Sequence, residues 1–210
     1  MLTSYKTSMK EALAEREKNP PVEKAEQSRF KYQTDMLKRF VSSFESTLKH
    51  LEIIGKPAPG FNFLHFFNTA PLSLETLRGK VVMIDFWANW CGPCKKAFPS
   101  VRKLYDELKP RGFEIIGVTS MQGSFTDGDI REQKITPERE LELTGDLIKR
   151  YEMNWPVAFS DRSCYDPEYG VRGVPTFALI DRKGIVRIIM VGAGQEKLLH
   201  KFATELLAED

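Results

Sequence analysis

Apolar positions along this chain follow two different spacings, and the change falls near residue 55. Before it the spacing is helical. Leu2, Tyr5, Met9 and Leu13 lie three or four residues apart, which predicts a helix over 2–18. Asn19-Pro20-Pro21 stops that helix, because proline cannot continue a helix interior. A longer helix is predicted over 22–51. Phe30, Leu37, Phe40, Val41, Phe44, Leu48 and Leu51 form its apolar stripe, with Lys24, Lys31, Lys38, Glu45 and Lys49 opposite. A stripe of this kind has to be buried. The candidates are the domain that follows, a second copy of the chain (self-association through these helices), or a dedicated partner.

"GKPAPG" at 55–60 breaks the helical pattern, and extended segments follow it. The expected division is a helical N-terminal extension over 1–52 and a second domain over 53–210. "FNFLHF" (61–66) alternates imperfectly, as a strand. "KVVMIDFWA" (80–88) is nearly continuous in apolar and β-branched residues, as expected of a strand buried on both faces. Ala97, Val101, Leu104, Tyr105 and Leu108 share one face of a predicted helix over 94–109, which contains Pro99 and should kink there. "FEIIGVTSM" (113–121) is a second buried strand, parallel to the first across that helix. "QGSFTDGDIREQKITPE" (122–138) is polar and is expected to be an exposed loop. Thr136 is placed to cap a helix with Pro137 in its first turn, running to Met153. "WPVAFSD" predicts a short strand, "TFALID" and "IVRIIMVG" a β-hairpin across "RKG", and 195–210 a closing amphipathic helix.

Composition narrows the classes. Of 210 residues 41% are apolar and 29% charged, the balance of a globular chain. Thirty-one basic against 29 acidic side chains leave a net charge of +2, without the concentrated positive charge of a nucleic-acid binder. No run approaches the roughly 18 apolar residues that span a bilayer. The first residues show no basic start followed by an apolar stretch, so no signal peptide is visible. Three cysteines cannot all pair within one chain, which argues against a disulfide scaffold.

Two of the three, Cys91 and Cys94, are spaced Cys-x-x-Cys directly after the first buried strand. That spacing alone serves zinc or redox chemistry. Zinc needs more ligands, and the remainder offers only Cys164 and three scattered histidines, so no metal or dissociable cofactor is expected. Redox chemistry explains the placement. Cys91 falls at a helix N-terminus, where unpaired N–H groups and the macrodipole favour an anion. Its pKa should drop from about 8.5 towards roughly 7. Cys94 lies one turn on, placed to close a disulfide. Gly92 permits the turn and Pro93 suits the first helical turn. Asp85 interrupts the apolar strand. Burial should raise its pKa and ready it to take the proton of Cys94, directly or through one water. Trp90 is expected to cover the site and touch substrate, whereas Trp87 is expected to pack in the core and Trp155 in the core or at an edge.

"VVMIDFWANWCGPC" resembles the active-site segment of the thioredoxin-like superfamily, and "YGVRGVPTF" (169–177) resembles its cis-proline loop, with Pro175 the cis residue and Val174 before it. The framing "GKPAPGF…LSLETLRGKVVMIDFWANWCGPCKKAFP" and the inserted segment before "WPVAFSD" resemble the TlpA/ResA-like thiol–disulfide oxidoreductase (redoxin) branch. The resemblance implies an α/β, thioredoxin-like fold, a central mixed sheet flanked by helices, from about Ile54 onward. It implies dithiol–disulfide exchange with catalytic Cys91, Cys94 and Asp85, and a substrate-binding rim of Trp90, Gly92, Pro93, Val174 and Pro175. The backbone of Val174 would pair with an extended substrate. The implied partners are a disulfide-containing protein and an upstream electron donor. The implied location is extracytoplasmic, periplasmic or membrane-tethered. Thioredoxin carries a lysine near its buried aspartate on the neighbouring strand, and "FEIIGVTSM" has none. Two alternatives stand beside this reading. One is a thiol peroxidase of the same fold, disfavoured because Ala88 stands where a threonine or serine is usual. The other is a non-enzymatic interaction module using the N-terminal helices.

Overall fold

The computed structural model describes residues 2–209. The side chains of residues 2–4 and 25 lie outside the described part, and so do the expected stripe position of Leu2 and the last residue of the closing helix, Asp210. The chain separates after Glu52 into two compact units.

In the first unit, α1 (Leu2–Lys18) and α2 (Lys24–Ile53) run antiparallel. Arg16 joins them. It donates to Thr34 Oγ1 (3.1 Å) and Gln33 Oε1 (2.7 Å), and its guanidinium lies 4.4 Å over the Phe30 ring. Lys10–Glu45 and Lys38–Glu17 ion pairs of 2.6 Å tie the helices at two further levels. The expected stripe on α2 is only partly covered within this unit. Phe40 and Leu51 are 61% and 62% exposed. At about 100° per residue, Phe30, Leu37, Phe44 and Leu48 fall within about 60° of buried Val41, whereas Phe40 and Leu51 fall about 80–100° away.

The second unit is built on a six-stranded mixed sheet. Its strands are β1 (Phe63–Phe67), β2 (Val81–Phe86), β3 (Phe113–Ser120), β6 (Val157–Ser160), β7 (Thr176–Ile180) and β8 (Val186–Val191), in the order β1-β6-β3-β2-β7-β8. β2 and β3 are parallel, as are β3 and β6, while β1, β7 and β8 run antiparallel to their neighbours. β2 and β3 are buried at every position, which is why their sequences read as unbroken apolar runs. The β1 alternation is imperfect because its pairing with β6 shifts register between Phe63 and His65.

Three helices, α3 (Gly92–Leu108), α4 (Pro137–Arg150) and α5 (Glu196–Ala208), supply apolar side chains to the core on one face of the sheet, among them Phe98, Leu147 and Leu199. On the other face Val82, Ile84, Ile116 and Ala178 pack under Phe61, Leu74, Leu77 and Tyr169. Pro99 stands inside α3 without ending it. Thr136 caps α4 as expected, its side chain accepting from the Arg139 N–H. That helix stops at Arg150 rather than Met153, and Glu152 has a φ of 50°.

The expected loop over 122–138 is instead largely a hairpin, β4 (Ser124–Asp127) with β5 (Ile130–Gln133). Gly128 turns it with a φ of 59°. Phe125 and Asp127 point inward in alternation, a pattern too short to stand out among polar neighbours.

Candidate active site

β2 delivers the chain into the site, and residues 87–90 lead from its end to α3. Cys91 is the N-cap of α3, in extended conformation, with Gly92 and Pro93 opening the helix. Its sulfur accepts from the Cys94 N–H at 3.1 Å, the arrangement in which an orphan helix donor meets an anion. Cys91 and Cys94 are joined in a disulfide with a Cα separation of 5.3 Å, so this is the oxidised state. Both cysteines are buried, Cys91 to 2% exposure, while Gly92 and Pro93 are exposed.

A second segment closes over the sulfur. The Val174–Pro175 peptide is cis, and the Val174 carbonyl oxygen lies 3.5 Å from Cys91 Sγ. A disulfide sulfur carries no proton, so this is a contact rather than a hydrogen bond. Thr176 fixes the bend by donating to the Gly173 carbonyl at 2.7 Å. Residues separated by 83 positions are thereby brought together.

Trp90 is 40% exposed beside Cys91. Its indole N–H donates to Gln122 Oε1 at 3.3 Å, and its ring lies 6.2 Å from that of Tyr165. Gln122 follows β3, and its own amide and that of Gly123 are held by the buried Glu140 carboxylate at 2.8 and 2.9 Å. The sequence reading missed Gln122 and Tyr165, which carry no periodic or motif signal.

Asn89 is also absent from that reading, although a buried amide inside "FWANW" was a visible exception. It donates to the Ser124 carbonyl at 3.1 Å and accepts from the Thr126 N–H at 3.0 Å, pairing with β4 as a strand would. Lys95, next to Cys94, reaches the same hairpin at Thr126 O (3.0 Å) and Asp127 Oδ1 (2.8 Å). Burial would raise the Asp127 pKa, but bonds from Lys95 and Tyr151 and the charge of Arg150 hold it below the usual carboxylate range. The hairpin is thus fastened on both sides of the cysteine pair.

Asp85 lies in β2, 1% exposed, and neither carboxyl oxygen has a hydrogen-bond partner. Burial pushes its pKa up to about 7. Such a carboxyl is able to exchange a proton near neutrality. Cys164, the free thiol, is buried, and burial raises its pKa. Its backbone N–H donates to Ser120 Oγ at 3.0 Å. The thiol is poorly suited to be a nucleophile, because the reactive form is the thiolate. Trp87 is fully buried in the core as expected, and Trp155, read as core or edge, is also in the core.

Comparison with known proteins gives a consistent answer. A family model described as Redoxin matches residues 54–206. Thiol-disulfide oxidoreductase ResA of Bacillus subtilis is 33% identical over 149 residues, covering 70% of this chain and 73% of that protein. ResA of Bacillus cereus is 30% identical over 153 residues, covering 73% and 78%. Among solved structures, a putative thiol:disulfide interchange protein DsbE from Chlorobium tepidum aligns with a TM-score of 0.56 and 30% identity, covering 74% of this chain and 98% of its own. A thiol-disulfide isomerase from Corynebacterium glutamicum aligns with a TM-score of 0.59 over the same shares at 24% identity, a likeness of fold alone.

Proposed function

The chain belongs to the redoxin family as a thiol–disulfide oxidoreductase of thioredoxin-like fold, and from there we propose that it reduces protein disulfides with the Cys91–Cys94 dithiol. The observation that carries this reading is the position of Cys91 as helix cap, with the Cys94 N–H on its sulfur and the Cys94 sulfur bonded to it.

In the reduced protein Cys91 is the thiolate. It attacks one sulfur of a substrate disulfide. A Cys91–substrate bond forms, the substrate S–S bond breaks, and the departing sulfur leaves as thiolate and takes a proton from water. Asp85 then takes the proton of Cys94. The Cys94 thiolate attacks Cys91 Sγ, and the second substrate sulfur leaves and is protonated in turn. Two electrons have passed to the substrate, and the enzyme is left as the disulfide seen here. An upstream dithiol donor returns it to the reduced form.

Trp90, Gly92, Pro93, Val174 and Pro175 form the rim on which an extended substrate lies, with Val174 offering main-chain pairing. Pairing of that kind reads little sequence, which suits a reductase with several clients. The resemblance to the TlpA/ResA-like branch favours an extracytoplasmic setting. No helix among the described residues is long and apolar enough to cross a membrane.

The test is a trap. Cys94→Ser is expected to accumulate client proteins as mixed disulfides on Cys91, resolved by non-reducing electrophoresis, whereas Cys91→Ser gives none. Adducts on the second variant and not the first would reverse the assigned order. Turnover of hydroperoxide faster than that of insulin disulfides would favour the peroxidase alternative. The buried Ala88, three residues before Cys91, supplies no hydroxyl to that chemistry.

A further inference from the structure

β2 sets Asp85 between two neighbours on the sheet, Gly117 of β3 and Phe177 of β7. Met83 and Trp87, two residues to either side, place its side chain on the face that packs against α3. Phe177 closes one flank with hydrocarbon. The other flank is bare, because Gly117 has no side chain. A Cβ placed on Gly117 would lie 3.1 Å from Trp155 Nε1 and 3.2 Å from Trp87 Nε1. Two indole nitrogens therefore converge on the spot one strand away from Asp85, on the same face of the sheet.

None of these groups is satisfied. Both Asp85 oxygens, Trp87 Nε1 and Trp155 Nε1 are buried without a hydrogen-bond partner. Buried polar groups normally find partners, and indole N–H groups are donors only. Two unpaired donors thus face the position that neighbours an unpaired carboxyl, on the same face of the sheet. Among the described residues, the charged groups packed nearby have other partners. Lys95 of α3 is held by Asp127, Glu114 of β3 by Lys80 and Tyr105, and Glu140 of α4 by the amides of 122 and 123. His200 of α5 is held by Glu107. In the same core cluster burial raises the Cys164 thiol pKa, and Tyr151 donates to Asp127, which leaves Cys91 and Cys94 as the other titratable groups of the site.

We propose that Trp87 and Trp155 are positioning residues for Asp85: their indole N–H groups hold its carboxylate in the reduced enzyme, and Gly117 is bare so that they can meet it. This rests on the reading of Asp85 as the base for Cys94. A charge-assisted bond is stronger than a neutral one, so the pairing forms with the charge and relaxes once Asp85 has taken the Cys94 proton. The oxidised protein, with indoles and carboxyl unpaired, is the relaxed state. The two donors thereby do the work that a neighbouring cation would do, favouring the charged form of a buried carboxyl without a second buried charge.

The experiment is a carboxyl carbon NMR titration of Asp85 in the reduced protein, the signal being assigned by its loss in Asp85→Asn. Trp155→Phe removes one donor and keeps an aromatic ring. Gly117→Ala pushes a methyl group against both nitrogens and keeps both indoles. Each is expected to raise the Asp85 midpoint by roughly one pH unit. Near-UV circular dichroism checks that each variant is folded, and either one alone suffices. Unchanged midpoints in the folded variants would overturn the proposal. In parallel, Asp85→Ala is followed by stopped flow through the Cys94 attack. A slowed attack with unchanged midpoints in Trp155→Phe and Gly117→Ala removes the indoles and leaves Asp85 as base. Shifted midpoints with an unslowed attack keep the indoles as partners of the carboxylate and remove Asp85 from the mechanism.

Discussion

A single buried carboxyl makes this protein's stability depend on pH in an uncommon direction. Folded Asp85 ionises near 7, and an unfolded aspartate near 3.9. Between those values the unfolded chain binds fewer protons than the native one, so stability from this group falls as pH rises through that window and levels off above about 7. The gap corresponds to about 4 kcal/mol. Asp85→Asn is expected to flatten this dependence in the oxidised protein. It should match wild type near pH 4 and exceed it by up to about 4 kcal/mol at pH 8, read from urea unfolding at the two pH values. A variant gaining stability at acid rather than alkaline pH would contradict the burial of an unpaired carboxyl. The exception that Asp85 makes in its apolar strand was legible in the sequence, because polarity inside such a run has few physical meanings. The indoles were legible only as core residues. Which atoms their N–H groups meet depends on register between β2, β3 and β6, which no single segment encodes.

Among elements, the inserted hairpin matters most to the site. Its pairing with Asn89 uses two backbone groups of β4, and both are left unpaired in Asn89→Ala. Both bonds are part-buried, so each group left unpaired costs about 1 kcal/mol, the low end of the range for buried groups. The variant is expected to lose about 2 kcal/mol of stability, with amide exchange accelerated first over residues 124–127 in hydrogen-exchange mass spectrometry. Acceleration spread evenly over the sheet would show that Asn89 does not fasten this hairpin in particular. The hairpin was hard to read because four-residue strands alternate too briefly, although the Asp127-Gly128 pair carries a turn signal. α3 was easy to read because its capping, its proline and its apolar face agree with one another. The same agreement placed β2, β3, β7 and β8 correctly. Phe40 and Leu51, at the margin of the α2 stripe, stay exposed in the single chain.

At the scale of the whole molecule the Cys91–Cys94 pair lies in the second unit, and the matched family region begins at residue 54. A chain of residues 53–210 is therefore expected to reduce insulin disulfides with kcat/KM within about twofold of the full chain, a change of less than about 0.5 kcal/mol in transition-state stabilisation. A loss of tenfold or more would assign α1 and α2 a part in catalysis. A final consequence follows from how deeply the oxidised Cys91 sulfur is set, under the Val174 carbonyl and beside the Trp90 ring. Displacement at sulfur proceeds along the line of the bond being broken, so a reductant has to reach the sulfur of a residue that is only 2% exposed. A sulfur carried on a slim projecting loop can reach it, and one lying flush with a broad surface is turned away. In the proposed cycle, electron supply would thereby be filtered by the shape of the donor before any difference in driving force is felt.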